Sequence, residues 1–154
     1  MKNYLSLIFL LLTVFSCGTK TNLSTDAAIA ETEKKVSKID ANKDLKETKT
    51  EGALTDKEGF KDVGIFKYYV FFDENSKELS KIKNIEIIDK TIIETYYFSD
   101  NKLFFIVSEL ANTPVKKIYI HNKRVIVKEH VSSEEEKLLL DKANRFQKAF
   151  KKTH

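Results

Sequence analysis

Apolar, β-branched runs separated by very short polar turns dominate the second half of the chain. Residues 66–72, 82–88, 91–98, 102–108, 115–121 and 124–130 are rich in Ile, Val, Tyr and Phe, which favour strands. Asn101 and Asn122 lie in two of the turns, where the tolerance of Asn for positive φ suits a tight hairpin. Because such short connections cannot cross over a sheet, consecutive strands are expected to pair antiparallel as a meander.

The end of the chain has the pattern of an amphipathic helix. Ser132 and Glu135 occupy the two positions of a capping box. An apolar stripe follows at helical spacing, formed by Leu139, Ala143, Phe146 and Phe150. The predicted fold class is therefore α+β, with an antiparallel β-meander of five or six strands and a C-terminal helix packed on one face, over residues 63–154.

A single helix would leave the second face of this sheet open. The aromatic side chains expected on the open face are Tyr68, Tyr96, Tyr97 and Tyr119. Exposed tyrosine rings can stack on sugars or anchor a protein partner, so these four residues form the candidate binding surface. The competing interpretation is that they pack in the core or in a dimer interface, which is the commoner fate of such rings.

The first sixteen residues have the pattern of a secretory signal peptide, with Lys2 before an apolar run that is too short to span a bilayer. The run ends in Val14-Phe15-Ser16-Cys17, which resembles the lipobox of bacterial lipoproteins. The tyrosine-rich hairpins also resemble those of small lipoproteins from Bacteroidota-type bacteria. The resemblance of residues 14–17 to a lipobox implies cleavage before Cys17 and a lipid on its sulfur, so that acyl chains tether the protein to a membrane.

The residues after Cys17 bear on its destination. Gly18 and Thr19 stand where many inner-membrane lipoproteins have Asp, and no acidic stretch follows. By the same resemblance, the expected location is the bacterial cell envelope, at the outer membrane and facing the periplasm. Cys17 is the single cysteine of the chain, so an intramolecular disulfide is excluded.

Residues 17–62 are predicted to be a lipidated, mostly disordered linker between the signal peptide (1–16) and the folded domain (63–154). Polar residues and Ala dominate the segment, so it offers little apolar surface to offset the entropy of ordering. Its apolar residues Ile29, Val36 and Ile39 form a weak helical stripe, which predicts a transient helix.

Motifs that carry chemistry are missing from the sequence. The four glycines form no phosphate-binding loop, and no serine lies in a nucleophile elbow. The three histidines, His121, His130 and His154, have no metal-ligand spacing. The sequence therefore predicts no catalytic residue, no metal and no cofactor, and a net charge of +4 is too small to predict nucleic-acid binding.

The expected function is a membrane-anchored, non-catalytic binding or protein-interaction module, a class that includes inhibitor and immunity-like proteins. Its expected partners are the membrane, through the lipid on Cys17, and an envelope protein. One alternative is a lipoprotein that binds or transports a small apolar ligand between the sheet and the helix. Another is a hydrolase of envelope polymer, which needs carboxylates such as Asp89 and Glu94 to face each other across a cleft.

Overall fold

The computed structural model describes residues 24–154. The predicted signal peptide, the lipidation of Cys17 and the first residues of the predicted linker lie outside the described residues. The elements follow in the order α1 (Thr25–Ala41), β1 (Lys46–Thr55), β2 (Asp62–Phe72), β3 (Leu79–Ile87), β4 (Thr91–Ser99), β5 (Lys102–Leu110), β6 (Lys116–His121), β7 (Arg124–Glu129) and α2 (Ser133–Thr153).

The strands form one sheet in which each strand pairs antiparallel with the next along the chain. The predicted meander is confirmed, although it has seven strands rather than five or six. The β4–β5 turn has positive φ at Asp100 and Asn101, and the β6–β7 turn has positive φ at Asn122 and Lys123. These backbone angles match the twist of the flanking strands and explain the asparagines in both turns.

The additional strand, β1, falls inside the predicted linker. It pairs with β2 along its length, from Lys46 opposite Phe72 to Leu54 opposite Gly64. The predicted disorder of residues 17–62 is therefore wrong for α1 and β1. An edge strand can be ordered with little apolar surface of its own, because its neighbour supplies the backbone hydrogen bonds and the core.

Helix α2 packs on one face of the sheet, here called the α2 face. The predicted capping box between Ser132 and Glu135 is present. The rings of Tyr68 and Phe146 lie 5.0 Å apart, and those of Phe72 and Phe150 lie 5.5 Å apart. The space beneath the helix is filled by a cluster of buried residues that includes Val70, Leu79, Ile82, Tyr96, Phe98, Ile106, Ile118, Leu139 and Ala143.

Helix α1 covers part of the opposite face, here called the α1 face. Ser24 caps the helix by accepting a hydrogen bond from the Ala27 backbone N–H. The stripe of Ile29, Val36 and Ile39 packs against a second buried cluster, formed by Tyr97, Phe104, Phe105 and Tyr119. The expectation of a single helix and a fully open second face is therefore wrong, because the predicted transient helix is part of the domain.

Candidate functional site

The four tyrosines of the predicted binding surface are divided between the two faces and form no exposed patch. Tyr96 and Tyr119 have no exposed area, Tyr97 is 6% exposed, and Tyr68 is partly buried against Phe146. Burial raises the pKa of Tyr68 to about 12. The expectation that these rings are exposed is wrong, and the competing interpretation, that they pack in the core, describes them.

The hydroxyl groups of three of these tyrosines form hydrogen bonds with carboxylates. Tyr97 donates to Asp40 at 3.0 Å and Tyr119 lies 3.4 Å from Glu33, so both hydroxyls hold α1 to the sheet. On the other face, Tyr96 donates to Glu94 at 2.9 Å. Buried tyrosines with a partnered hydroxyl contribute to packing and to the orientation of the helices.

Beyond α1, the rest of the α1 face remains partly exposed. There β2 contributes Ile65, Lys67 and Tyr69, and each lies opposite a residue of β3 on the same face of the sheet. Ile65 is 47% exposed, and the others have intermediate burial. We call this surface the isoleucine–lysine face and define it by Ile65, Lys67, Tyr69, Lys83, Ile85, Ile87 and Ile93.

Two lysines of this face have apolar or aromatic neighbours across the β2–β3 pair, and Glu51 of β1 lies opposite Lys67 on its other side. Lys67 is opposite Ile85, and Lys83 is opposite Tyr69. Among residues 24–154, no carboxylate lies within salt-bridge distance of Lys67 or Lys83. Lys81, at the border with α1, differs because it pairs with Asp40 at 2.8 Å. The face therefore offers cations and apolar side chains together.

Tyr69 is the residue that the sequence reasoning should have selected for an open face. It follows Tyr68 directly, and successive side chains of a strand point to opposite faces. The same alternation places Lys83 and Ile85 on the α1 face, on either side of the buried Asn84. The sequence signal for this face was whether each position is odd or even along its strand, since that decides which face of the sheet its side chain occupies.

A buried ion cluster lies on the α2 face beneath the middle of α2. The Lys142 ammonium contacts both oxygens of Glu94, at 2.9 and 3.0 Å, and Glu86 at 3.1 Å. Asn84 donates to both carboxylates, and Tyr96 donates to Glu94. The side chains of Lys142 and Glu94 are only 15% and 5% exposed, so these two charges are largely removed from water.

The chemistry of this cluster indicates a structural role. Burial alone would lower the pKa of Lys142, but the hydrogen bonds and charges of Glu94 and Glu86 outweigh it and raise that pKa. Lys142 therefore stays protonated and cannot act as a nucleophile. Glu94, which is one of the two carboxylates considered for hydrolysis, already accepts hydrogen bonds from an ammonium, an amide and a hydroxyl, so its oxygens are engaged by partners within the fold.

A shallow groove of about 440 Å³ borders the ion cluster, between α2 and the first three strands. Its floor is apolar, with Leu54, Phe66, Tyr68 and Phe146, and its rim carries charged side chains, including Arg145. The groove lies at the side of α2 rather than beneath it.

Within residues 24–154, no group of three or more His, Asp or Glu side chains is arranged to hold a metal ion. Neither of the two helices in that part of the chain has the length and apolar character needed to cross a membrane. Comparisons of the chain with protein-family models, with curated proteins and with solved structures gave no match.

Proposed function

We propose that this chain is a non-catalytic binding lipoprotein of the bacterial envelope, and that its isoleucine–lysine face binds a protein partner. The observation that carries the proposal is the combination of partly exposed isoleucines with two lysines that form no salt bridge within residues 24–154. A complementary partner would present an apolar surface with one or two carboxylates, because such an arrangement buries apolar area and pairs the lysines.

The position of this face favours a protein over the bilayer that would hold the anchor. The first turns of α1 and the β4–β5 and β6–β7 turns line one cavity, so the chain enters the domain at that end of the sheet. Tyr97, beneath α1, and Thr91, at the far end of β4, are separated by about 20 Å at the usual rise of a strand. The isoleucine–lysine face therefore lies toward the end opposite the tether.

The anchor part of the proposal rests on the resemblance of residues 14–17 to a lipobox. Because the described helix begins just after Ser24, the chain from Cys17 can reach at most about 25 Å. A lipidated Cys17 would thus hold the folded domain close to the bilayer surface. At the outer membrane, the domain would face proteins of the periplasm.

The binding surface is tested by charge reversal on the face. Full-length protein carrying Lys83→Glu is compared with the parent and with Lys43→Glu, which changes an exposed loop lysine away from the face. Each is used to recover partners from cross-linked envelopes. We expect the parent and Lys43→Glu to retain the same protein and Lys83→Glu to lose it. Equal recovery by all three would refute the proposal that this face binds the partner. If the parent recovers no protein but binds lipid vesicles in a separate sedimentation assay, the bilayer is the target of the face instead.

The anchor is tested separately by mass spectrometry of the native protein. Cleavage before Cys17 and a diacylglycerol-sized mass on the new N-terminal residue are the expected results. Cys17→Ser should release the protein from the membrane fraction while leaving the folded domain intact. An uncleaved, unmodified N-terminus would contradict the anchor without bearing on the binding surface.

A second candidate function is the binding of a small apolar ligand in the groove beside α2. The apolar floor of the groove favours it, but Tyr68, Tyr96 and Phe146 fill the space directly between sheet and helix. A fluorescent apolar probe should bind the parent, and Leu54→Lys should weaken its binding if the groove is the site. No binding of the probe would remove this candidate.

A further inference from the structure

The outer edge of β1 is a long strand edge that no described strand covers. β1 has ten residues and pairs only with β2, so half of its backbone N–H and C=O groups point away from the sheet. The other edge strand, β7, has six residues. Exposed edges of this length readily add another strand.

We propose that two copies of this chain pair through β1, antiparallel and about a twofold axis at Thr50. Paired residues must have the same parity along the strand, because both sheets then continue with their faces aligned. Only two registers satisfy this condition and pair nine of the ten residues. One has Thr50 opposite its own copy, and the other has Glu51 opposite its own copy.

The charges of β1 distinguish between these two registers. With Thr50 on the axis, Lys49 lies opposite the second copy's Glu51, and the reciprocal pair forms by symmetry. Within one chain, Lys49 and Glu51 already lie 2.6 Å apart, so the four charges would alternate in sign around the axis. With Glu51 on the axis, two carboxylates would face each other directly, which is destabilising.

The rest of the Thr50-centred register is compatible with pairing. Thr48 lies opposite Gly52, and Lys46 lies opposite Leu54, so no like charges meet. The Gly52 position is narrow because the Phe66 ring leans over it, 2.9 Å from where a Cβ atom would stand. A threonine is therefore a suitable neighbour across the interface, since it is small and β-branched.

This pairing would also join the two binding surfaces. Both isoleucine–lysine faces would lie on the same side of the continued sheet, with their β2 strands three strand spacings, or about 14 Å, apart. Because the pairing is antiparallel, the two tethers would leave from opposite ends of the sheet, and each face would lie distant only from the tether of its own copy. The dimer itself rests only on β1, whereas its consequence for binding rests on the proposed function. A partner with two equivalent sites would then gain avidity from the dimer.

Sedimentation equilibrium of the full-length protein in detergent tests the dimer by charge exchange. Lys49→Glu and Glu51→Lys should each weaken the dimer on the order of tenfold, because two attractive pairs become repulsive. The double variant, Lys49→Glu with Glu51→Lys, should restore the parental dissociation constant. The same exchange also breaks and restores the Lys49–Glu51 pair within one chain, so the rescue is assigned to the interface only if urea denaturation shows the same domain stability for all variants. A monomeric parent, or a double variant as weak as the single ones, would overturn the proposal.

Cysteine cross-linking in intact cells tests the register. Thr50→Cys should form a disulfide-linked dimer, because directly opposite residues lie within reach of a disulfide. Lys49→Cys and Glu51→Cys are the matched controls, and the parent reports any contribution from Cys17. Preferential cross-linking of Glu51→Cys, or none at any position, would contradict the Thr50-centred pairing. Lys83→Glu should leave the cross-link unchanged, which separates this inference from the binding surface.

Discussion

Replacement of Lys142 by methionine should destabilise the domain far more than an ordinary surface substitution. Methionine keeps the length and apolar stem of the side chain but removes the ammonium that contacts Glu94 and Glu86. Glu94 would then be a carboxylate with 5% exposure and no cation. Removal of one partner of a buried pair costs about 3–5 kcal/mol, and the partial exposure of Glu86 places the estimate at the lower end, about 3 kcal/mol.

Urea denaturation followed by circular dichroism measures this loss. The control is Lys148→Met, which removes an exposed lysine of the same helix and should change the free energy of unfolding by less than about 0.5 kcal/mol. Adding Glu94→Gln to Lys142→Met should recover much of the stability, because the uncompensated charge disappears. A loss below about 1 kcal/mol for Lys142→Met would refute the argument that the cluster holds charges out of water.

Three further substitutions or conditions probe the helices and the cluster. Tyr97→Phe removes the hydrogen bond to Asp40 and should cost about 1 kcal/mol, visible as faster hydrogen exchange in α1. Ser132→Ala removes the cap of α2 and should lower stability by about 1 kcal/mol in a urea titration. Burial opposes ionisation of Glu86, but its partners in the cluster lower its pKa. The stability that Glu86 contributes is therefore fully present above its unfolded pKa of about 4.3 and is lost as the pH falls through its lower folded pKa. When the free energy of unfolding is measured against pH, Glu86→Gln should reduce the slope on the acidic side.

The meander and α2 could be predicted because local signals agreed with the final structure. The turns place Asn101 and Asn122 where positive φ is needed, and the short connections leave antiparallel pairing as the only solution. For α2, Ser132 and Glu135 form the cap and the apolar stripe faces the sheet. In each case, information within a few residues was sufficient.

The first helix and strand could not be predicted with the same rules, because they are ordered by contacts with residues that are distant in the sequence. Ile29 and Val36 make only a weak stripe, but Tyr119 and Phe105 provide a surface on which that stripe is buried. The tyrosine surface was misjudged for the same reason. Without α1, the sheet has an open aromatic face, and the sequence analysis treated α1 as part of a linker.

The boundary predicted at residue 63 therefore leads to a final test, in which α1 is deleted. A chain of residues 42–154 keeps β1 and α2 but uncovers four large side chains, namely Tyr97, Phe104, Phe105 and Tyr119. At about 1.5–3 kcal/mol for each side chain fully returned to water, the loss is at most about 6–12 kcal/mol, and the upper part of this range is comparable to the whole stability of an ordinary domain.

We expect residues 24–154 to unfold cooperatively, whereas residues 42–154 should bind the dye ANS, lack near-ultraviolet circular dichroism and aggregate. A milder version, Val36→Asp in the longer chain, should weaken the same contact, with Lys34→Asp as the exposed control on the same helix. Equal unfolding midpoints for the two chain lengths would contradict the packing argument. Such a result would mean that α1 adds nothing to the stability of the domain, and that the sheet stays folded with an exposed aromatic face of the kind expected from the sequence.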